Sequence, residues 1–259
     1  MAHVPVPGSQ LTGGPTAFED AIPASVLDLL ATLWAAGHAA YVVGGSLRDV
    51  LLGRHPDDWD MASNAEPERI IELFSGAVYE NRVGTVAVRR DGEVFEITTF
   101  RTDHDYADFR RPHRVEFGDT IELDLARRDF TVNAMAWGAR PGQTPALVDP
   151  YDGRSDTAGR SLRAVGDPSA RFEEDALRMV RAIRLATTLG FEIEATTLHA
   201  IEGKATLVAH LSGERIAAEL DKLLASPTPS AGLRLLSETG VLASIECFKF
   251  AGMWTQVPA

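Results

Sequence analysis

The hydrophobic pattern of the chain changes its period near Gly166. Before this point, short apolar runs are separated by glycine and aspartate turns, which is typical of strands mixed with short helices. From Asp167-Pro168 onward, apolar residues recur with helical spacing instead. We therefore predict three regions: a flexible leader (1–21), an α/β head with a small mixed sheet and flanking helices (22–160), and an all-helical segment (161–259).

The local patterns predict the elements of both regions. Helices are predicted over residues 22–36, with Gly37 after the end, over 46–52 with Ser46 as N-cap, and over 67–74. Strands are predicted at 41–43, 59–62 and 146–148, with a hairpin of 83–90 and 94–100 turning at Asp91-Gly92. One continuous helical pattern is predicted from 167 to 190, followed by helical periodicity over 196–224 and 231–236.

The balance of charge limits the partners of the chain. A formal net charge of -12 repels a polyanion on average, which argues against non-specific coating of nucleic acid but is compatible with one confined basic groove. The single cysteine, Cys247, cannot form an internal disulfide, and no apolar run approaches the ~20 residues that span a bilayer. We therefore expect a soluble protein of the reducing cytoplasm.

Two glycines at the end of the first predicted strand mark a candidate phosphate site. Gly44 and Gly45 stand between this strand and a helix, where the backbone can approach a ligand closely and free N–H groups attract anions. Arg48, one turn into the helix, can add a charged fork to the same phosphate. The alternative is a tight turn followed by a surface arginine.

The segment Asp58-Trp59-Asp60 is a candidate magnesium site. In a strand, both carboxylates share one face and Trp59 turns into the core, and two adjacent carboxylates favour a divalent cation between them. Such a site serves phosphoryl or nucleotidyl transfer, although Asp-x-Asp also occurs in sugar-nucleotide glycosyltransferases, and a solvated acidic turn is the plainer alternative. Glu96 can supply a third carboxylate or can simply keep an edge strand soluble.

Arginines further along the chain suggest a triphosphate clamp and an anionic groove. Arg128 follows Arg127 and precedes an acidic residue, so it can hold nucleotide phosphates or form a surface ion pair. Arg178, Arg181 and Arg184 form a stripe beside an apolar helical seam. No acid follows any of them at the i+4 position, so we predict that the stripe is unpaired and faces an anion; a solvated helix face is the alternative.

Asp175 and Arg178 are candidates for reading a base. Their spacing of three predicts that they face each other on one helix. Together they offer an acceptor beside a fork of donors, which matches the amino donor and ring-nitrogen acceptor of cytosine and adenine. Uracil and guanine present the inverse pattern, so such a pair can accept C and A and reject U and G.

These motifs in this order resemble the class II nucleotidyltransferases, which comprise the CCA-adding tRNA nucleotidyltransferases and the bacterial poly(A) polymerases. The resemblance spans roughly residues 25 to 245. Its motifs are Val43-Gly44-Gly45-Ser46-Leu47-Arg48-Asp49, Asp58-Trp59-Asp60, Arg127-Arg128-Asp129-Phe130-Thr131-Val132-Asn133-Ala134, Glu174-Asp175-Ala176-Leu177-Arg178-Met179-Val180-Arg181-Ala182-Ile183-Arg184, and Leu189-Gly190-Phe191.

The resemblance implies a role for each matching residue. Gly45 and Arg48 would contact the nucleotide, and Asp58 and Asp60 would bind Mg²⁺ and form the catalytic centre. Arg128 would hold the triphosphate. The incoming base would be templated by Asp175 and Arg178, in a pocket that is also lined by Arg181 and Arg184. Residues 106–117, with Arg110-Arg111-Pro112, match a flexible loop that the family uses to switch from C to A addition.

The expected function is template-independent addition of CCA to tRNA 3′ ends with CTP, ATP and Mg²⁺. The fold implied is a nucleotidyltransferase head followed by a helical neck and a truncated body, since bacterial members usually continue well past this length. Three alternatives remain: a poly(A) polymerase, an enzyme that adds only CC or only A, and a weakly active RNA-binding remnant. A glycosyltransferase is disfavoured by the arginine helix.

Overall fold

Two units, each with its own internal contacts, divide the chain in this computed structural model. The first unit comprises Met1–Phe100, Phe117–Leu125 and Met135–Pro150, and the second comprises Arg101–Glu116, Ala126–Ala134 and Tyr151–Ala259. The structure describes residues 16–79, 84–107 and 111–245, without the side chains of residues 16–17 and 102–117.

A mixed sheet forms the centre of the first unit, as the sequence predicts. Its strand order is β3-β4-β5-β2-β1-β8-β9. The pairing of β2 with β5 is parallel, and the other pairings are antiparallel. A separate pair consists of β6 and β7, and another of β10 and β11. The bounds are β1 Ala40–Val43, β2 Met61–Ser63, β3 Val78–Tyr79, β4 Thr85–Arg90, β5 Glu93–Thr99, β6 Arg101–Ala107, β7 Arg111–Phe117, β8 Ala136–Ala139, β9 Ala146–Val148, β10 Ser161–Leu162 and β11 Glu192–Ile193.

Helices complete both units. Their bounds are α1 Thr16–Glu19, α2 Ala24–Ala35, α3 Gly45–Leu51, α4 Pro67–Leu73, α5 Ile121–Ala126, α6 Gly153–Ala158, α7 Pro168–Glu174, α8 Leu177–Leu189, α9 Ala195–Lys204, α10 Gly213–Leu224, α11 Pro229–Glu238 and α12 Val241–Ser244, with short 3₁₀ turns at Thr131–Asn133 and Ala205–His210. In the described part of the chain, no helix is both long and apolar enough to cross a membrane.

The strand β1 lies in the interior of the sheet and is buried along its whole length. Its partner β8 approaches closely because Gly138 stands opposite Tyr41. A Cβ on Gly138 would overlap the carbonyl oxygen of Ala40 and lie 2.7 Å from the Cα of Tyr41. Only glycine therefore permits this close pairing of β8 with β1.

The hairpin that joins β4 and β5 is confirmed. Asp91 and Gly92 both adopt positive φ, 52° and 86°, which is the backbone of a type I′ turn. The residues expected to form a loop at 106–117 fall largely within β6 and β7 instead, because these segments pair as a two-stranded sheet. Arg110 lies outside the described residues, as does Cys247.

The prediction of one continuous helix from 167 to 190 is wrong. The first helix ends at Glu174, and Asp175 adopts an extended backbone with φ -147° and ψ 104°. The Oδ1 atom of Asp175 accepts a hydrogen bond from the Leu177 N–H at 3.1 Å, at the start of α8. A short polar side chain that accepts a hydrogen bond from a nearby backbone N–H competes with the helical hydrogen bonds. The spacing of apolar residues therefore stays helical across Asp175, although the helix itself is interrupted there.

Candidate functional site

The Gly-Gly turn connects β1 directly to α3. Gly44 has φ 83° and ψ -139°, a backbone that L side chains rarely adopt, and its N–H donates to the Met135 carbonyl at 3.3 Å. The prediction of Ser46 as N-cap is wrong, because Gly44 is the residue that precedes the helix. The Ser46 hydroxyl instead lies 3.4 Å from the Val43 carbonyl, since the helix begins one residue earlier than the sequence suggested.

The guanidinium of Arg48 packs against this turn. A Cβ placed on Gly45 would lie 3.1 Å from Arg48 Nη2, so glycine makes room for the side chain. The Asp49 carboxylate accepts from Arg48 Nε at 3.1 Å, and its two oxygens lie 3.0 and 2.9 Å from Nη2. The side chain of Arg48 is only 10% exposed, so the cation is held in one place beside the Gly-Gly turn.

The acidic pair lies immediately before β2. The strand begins at Met61, two residues later than predicted, but the alternation is as expected: Asp58 and Asp60 are exposed, and Trp59 is partly buried against the core. The Asp60 carbonyl accepts a hydrogen bond from the Val43 N–H at 3.0 Å. Asp60 therefore lies next to the residue that leads into the Gly-Gly turn.

Glu96 is brought beside Asp60 by the register of the sheet. The parallel pairing aligns Met61 with Ile97, so the preceding residues, Asp60 and Glu96, are neighbours with exposed side chains. Over the described ranges, no three His, Cys, Asp or Glu side chains come close enough to hold a metal together. Two carboxylates still fit Mg²⁺, which usually takes one or two carboxylates and completes its coordination with water and substrate phosphates.

Arg128 belongs to the second unit, where it precedes the turn Thr131–Asn133. Its Nη1 donates to the Asn133 carbonyl at 3.3 Å. The amide of Asn133 in turn donates to Asp129 Oδ1 at 3.2 Å. This short turn therefore fixes Arg128 through backbone and amide contacts.

The carboxylate of Asp129 is the centre of these contacts. Oδ1 also accepts the Phe130 N–H at 2.8 Å, and Oδ2 pairs with Arg181 Nε at 2.8 Å. Burial by itself raises the pKa of Asp129. The charge of Arg181 and the hydrogen bonds outweigh burial, and Arg178 adds to them, so the pKa lies below its ordinary value of 3.8.

Asp175 and Arg178 do not face each other on one helix, contrary to the prediction. Asp175 precedes α8, and its Oδ2 pairs with Arg215 Nη2 at 2.7 Å. Arg178 pairs with Glu174 at 2.6 Å, four residues earlier in the chain. Their backbones are nevertheless in contact, since the Arg178 N–H donates a hydrogen bond to the Asp175 carbonyl at 3.1 Å.

Arg178 is held by further contacts within the second unit. Its Nη1 donates to the Arg171 carbonyl and its Nη2 to the Arg127 carbonyl, both at 3.1 Å. Arg171 Nη1 lies 2.9 Å from the same Glu174 oxygen that Arg178 contacts. Glu174 is therefore shared by two guanidinium groups.

The arginine stripe is not unpaired, contrary to the prediction. Arg178 pairs with Glu174, Arg181 with Asp129, and Arg184 with Glu219, whose Oε2 lies 2.5 Å from Arg184 Nε. The prediction considered acidic residues only at the i+4 position. The observed partner of Arg178 lies at i-4, and the partners of Arg181 and Arg184 lie in distant segments. Arg184 is only 13% exposed, while Arg181 is 45% exposed.

Two contributing residues were missed in the sequence. Arg215 and Glu219 both lie on α10, and they pair with Asp175 and Arg184 respectively. Their spacing of four residues places them on one face of the helix, which is the signal that the sequence offers. The partner of each could not be read from that spacing.

Comparison with known proteins places these motifs in a family. The poly A polymerase head domain matches residues 40–163, and a domain described as "Probable RNA and SrmB- binding site of polymerase A" matches residues 190–246. The CCA-adding enzyme of Geobacillus thermodenitrificans is 43% identical over 219 residues, which is 84% of this chain and 53% of that protein. The CCA-adding enzyme of Streptococcus suis is 44% identical over 231 residues, 89% of this chain and 55% of that protein.

Solved structures show the same likeness. The Bacillus stearothermophilus CCA-adding enzyme in complex with CTP matches with a TM-score of 0.79 and 39% identity, over 90% of this chain and 55% of that one. The Thermotoga maritima CCA-adding enzyme complexed with tRNA_CCA matches with a TM-score of 0.75 and 25% identity, over 88% of this chain and 54% of that one. The chain thus spans about half the length of the relatives it matches. With a nucleotidyltransferase head followed by helices, it belongs to the nucleotidyltransferase family of the CCA-adding enzymes and poly(A) polymerases.

Proposed function

We propose that this chain carries the catalytic part of a tRNA nucleotidyltransferase that adds CCA to tRNA 3′ ends from CTP and ATP. One observation carries the proposal: the Val43 N–H donates a hydrogen bond to the Asp60 backbone carbonyl at 3.0 Å, so the acidic pair lies beside the Gly-Gly turn. The relatives, which are named CCA-adding enzymes, and the solved complexes with CTP and with tRNA_CCA supply the substrate class.

In the proposed reaction, the tRNA 3′-hydroxyl oxygen attacks the α-phosphorus of the nucleotide. A new P–O bond forms, the bond between the α-phosphorus and the oxygen that bridges it to the β-phosphate breaks, and pyrophosphate leaves with that electron pair. The proton of the hydroxyl passes to solvent water. Asp58 and Asp60 are the residues that would hold Mg²⁺. When bound, Mg²⁺ would make the hydroxyl more acidic and neutralise the pyrophosphate.

Other residues bind and orient the nucleotide in this proposal. Gly45 leaves the backbone accessible, and Arg48, already held by Asp49, contacts a phosphate. Arg128 binds the triphosphate. Arg181 and Arg184 both lie on α8. They contribute through their ion pairs with Asp129 and Glu219, because these two pairs orient α8.

Asp175 and Arg178 read the incoming base in this proposal. Each is held by its own partner, Arg215 for Asp175 and Glu174 for Arg178, so the acceptor and the donors are oriented before the nucleotide arrives. Such preorganisation reduces the entropy that binding must overcome. We also place the activity in the cytoplasm, which suits a chain whose single cysteine cannot form an internal disulfide.

One assay tests the proposal: incubation with tRNA that lacks its CCA end and with labelled nucleotides, singly and in pairs. Addition that stops at CCA is the expected result. Long A tracts from ATP alone would identify a poly(A) polymerase, and addition that stops after C or requires a preformed CC end would identify a partial enzyme. Retained tRNA binding without any incorporation would overturn the proposal in favour of an RNA-binding remnant.

A further inference from the structure

One face of the sheet carries exposed side chains along the hairpin of β4 and β5, around the buried Ala87. Val86 and Val88 of β4 turn into the core of the first unit. Side chains alternate along a strand, so Arg89 points to the opposite face. Its partner across the hairpin is Val94, which shares that face, as does Glu96 two residues further along β5.

The exposed residues of this face form what we call the open strip: Val78, Arg89, Val94 and Glu96. Val78 pairs with Ala87, which places it on the same face, and it is 61% exposed; Val94 is 53% exposed. Two exposed apolar side chains on the same face as a cation offer a small mixed surface, which suits contact with a ligand that is partly apolar and partly anionic.

Arg89 makes no hydrogen bond or ion pair with any residue that the structure describes. Its neighbour Arg90 behaves differently, since it pairs with Asp28 at 2.6 Å on the other side of the strand. The two arginines are adjacent in sequence and equally charged, and only one of them is available to an anion.

The register places Arg89 near the acidic pair. Glu96 is a diagonal neighbour of Arg89, at about 7–8 Å. Asp60 lies beside Glu96 on the next strand, about 4.8 Å further. The long side chain of Arg89 can therefore reach an RNA phosphate that lies near the reacting 3′ end, upstream of the reacting hydroxyl itself.

We propose that the open strip binds the single-stranded 3′ end of the RNA substrate just upstream of the reacting hydroxyl. Arg89 contacts a phosphodiester of that end, and Val78 and Val94 pack against ribose or base. This inference rests on the proposed function. A protein partner is disfavoured because the strip exposes only a few side chains, whereas a stable interface buries about 800 Å² on each side.

The test compares Arg89→Gln with Arg90→Gln as the matched control. With tRNA lacking CCA, Arg89→Gln is expected to raise KM for the RNA about five- to tenfold, which is the effect of one charge-assisted contact. KM for CTP should stay within about twofold, because the nucleotide is bound elsewhere. Arg90→Gln should change neither constant.

A second measurement uses binding alone. The Kd of a labelled RNA 3′-terminal oligonucleotide is followed by fluorescence anisotropy across a salt series. Loss of one phosphate contact to a single strand lowers the slope of log Kd against log salt by about 0.7. Arg89→Gln should show this reduction, and Arg90→Gln should retain the slope of the unchanged chain.

Neutral methylphosphonate linkages locate the contact. One linkage near the 3′ end should weaken RNA binding to the unchanged chain and have no further effect in Arg89→Gln. Equal KM, Kd and salt slope in the two variants would overturn the inference while leaving the proposed function intact. If the unchanged chain binds the oligonucleotide but adds no nucleotide, the proposed function fails, and the salt and linkage measurements still decide whether Arg89 contacts RNA.

Discussion

Arg181 Nε lies 2.8 Å from Asp129 Oδ2, which ties α8 to the segment that carries Arg128. The Asp129 side chain is 11% exposed, and its other oxygen accepts from the amide of Asn133. The carbonyl of Asn133 accepts from Arg128. The largely buried carboxylate of Asp129 therefore positions both Arg128, which is proposed to bind the triphosphate, and α8, the helix that begins beside Asp175.

Replacing this carboxylate should destabilise the second unit. Asp129→Asn is expected to lower the free energy of unfolding by about 1–3 kcal/mol at pH 7, because Arg181 loses its charged partner and a buried network is broken. Urea denaturation measures the effect. Asp221→Asn on exposed α10 surface is the control and should change little.

The same pair predicts a pH dependence. The pKa of Asp129 is lower in the folded protein than its ordinary value of 3.8, so its contribution to stability is complete above 3.8 and is lost as pH falls through the folded pKa. The stability difference between the unchanged chain and Asp129→Asn should be constant from pH 5 to 8 and shrink below about pH 3.8. A difference that grows on acidification would contradict this.

Arg215→Gln should weaken nucleotide binding. Asp175 then loses the partner that holds its carboxylate at 2.7 Å, so we expect KM for CTP and ATP to rise about tenfold, which is about 1.4 kcal/mol. Steady-state kinetics with tRNA lacking CCA measure this. Arg234→Gln, an exposed arginine on α11, is the control, and equal KM values in the two variants would refute the role of Arg215.

Arg178→Ala should lower the selectivity of the enzyme for CTP over UTP. Glu174 keeps Arg171 as a partner at 2.9 Å, so the fold should survive the loss of Arg178. The ratio of kcat/KM for CTP over UTP is expected to fall at least about tenfold, the effect of losing one oriented donor pair. Arg171→Ala removes the other partner of Glu174 and should retain the ratio; unchanged selectivity in Arg178→Ala would exclude base reading by this residue.

Asp58→Asn and Asp60→Asn should each nearly abolish incorporation. Loss of a carboxylate that holds the metal is expected to cost several kcal/mol of transition-state stabilisation, or about a thousandfold in rate. Asp57→Asn, the exposed neighbour, is the control and should keep most of the activity. Full activity in either of the first two variants would remove that residue from the metal site.

Gly232→Ala should destabilise the packing of α11. A Cβ at this position would lie 2.7 Å from Thr187 Oγ1 and 3.0 Å from both Leu223 methyl carbons, so we expect a loss of about 1–3 kcal/mol. Gly203→Ala is the contrasting change, since nothing lies within 4 Å of its Cβ and alanine favours the helix. Thermal unfolding should show Tm lowered in the first variant and unchanged or raised in the second.

Much of this protein follows from its sequence alone. Local signals predicted the strand–Gly-Gly–helix connection, the hairpin at Asp91-Gly92 and the alternation of Asp58, Trp59 and Asp60, because period, positive φ and turn chemistry act over a few residues. The same short-range signals carried the resemblance to the nucleotidyltransferases, which the matching domains and relatives confirm.

Tertiary structure decided which charges meet. The sequence predicted an unpaired arginine stripe and an Asp175–Arg178 pair on one helix, whereas Asp129, Glu219 and Arg215 reach these residues from segments 35 to 52 positions away. Partners at such separations depend on how helices pack and on the break at Asp175, which no local period encodes. Hydrophobic spacing determines which elements form, but only packed elements determine which buried carboxylate neutralises which guanidinium.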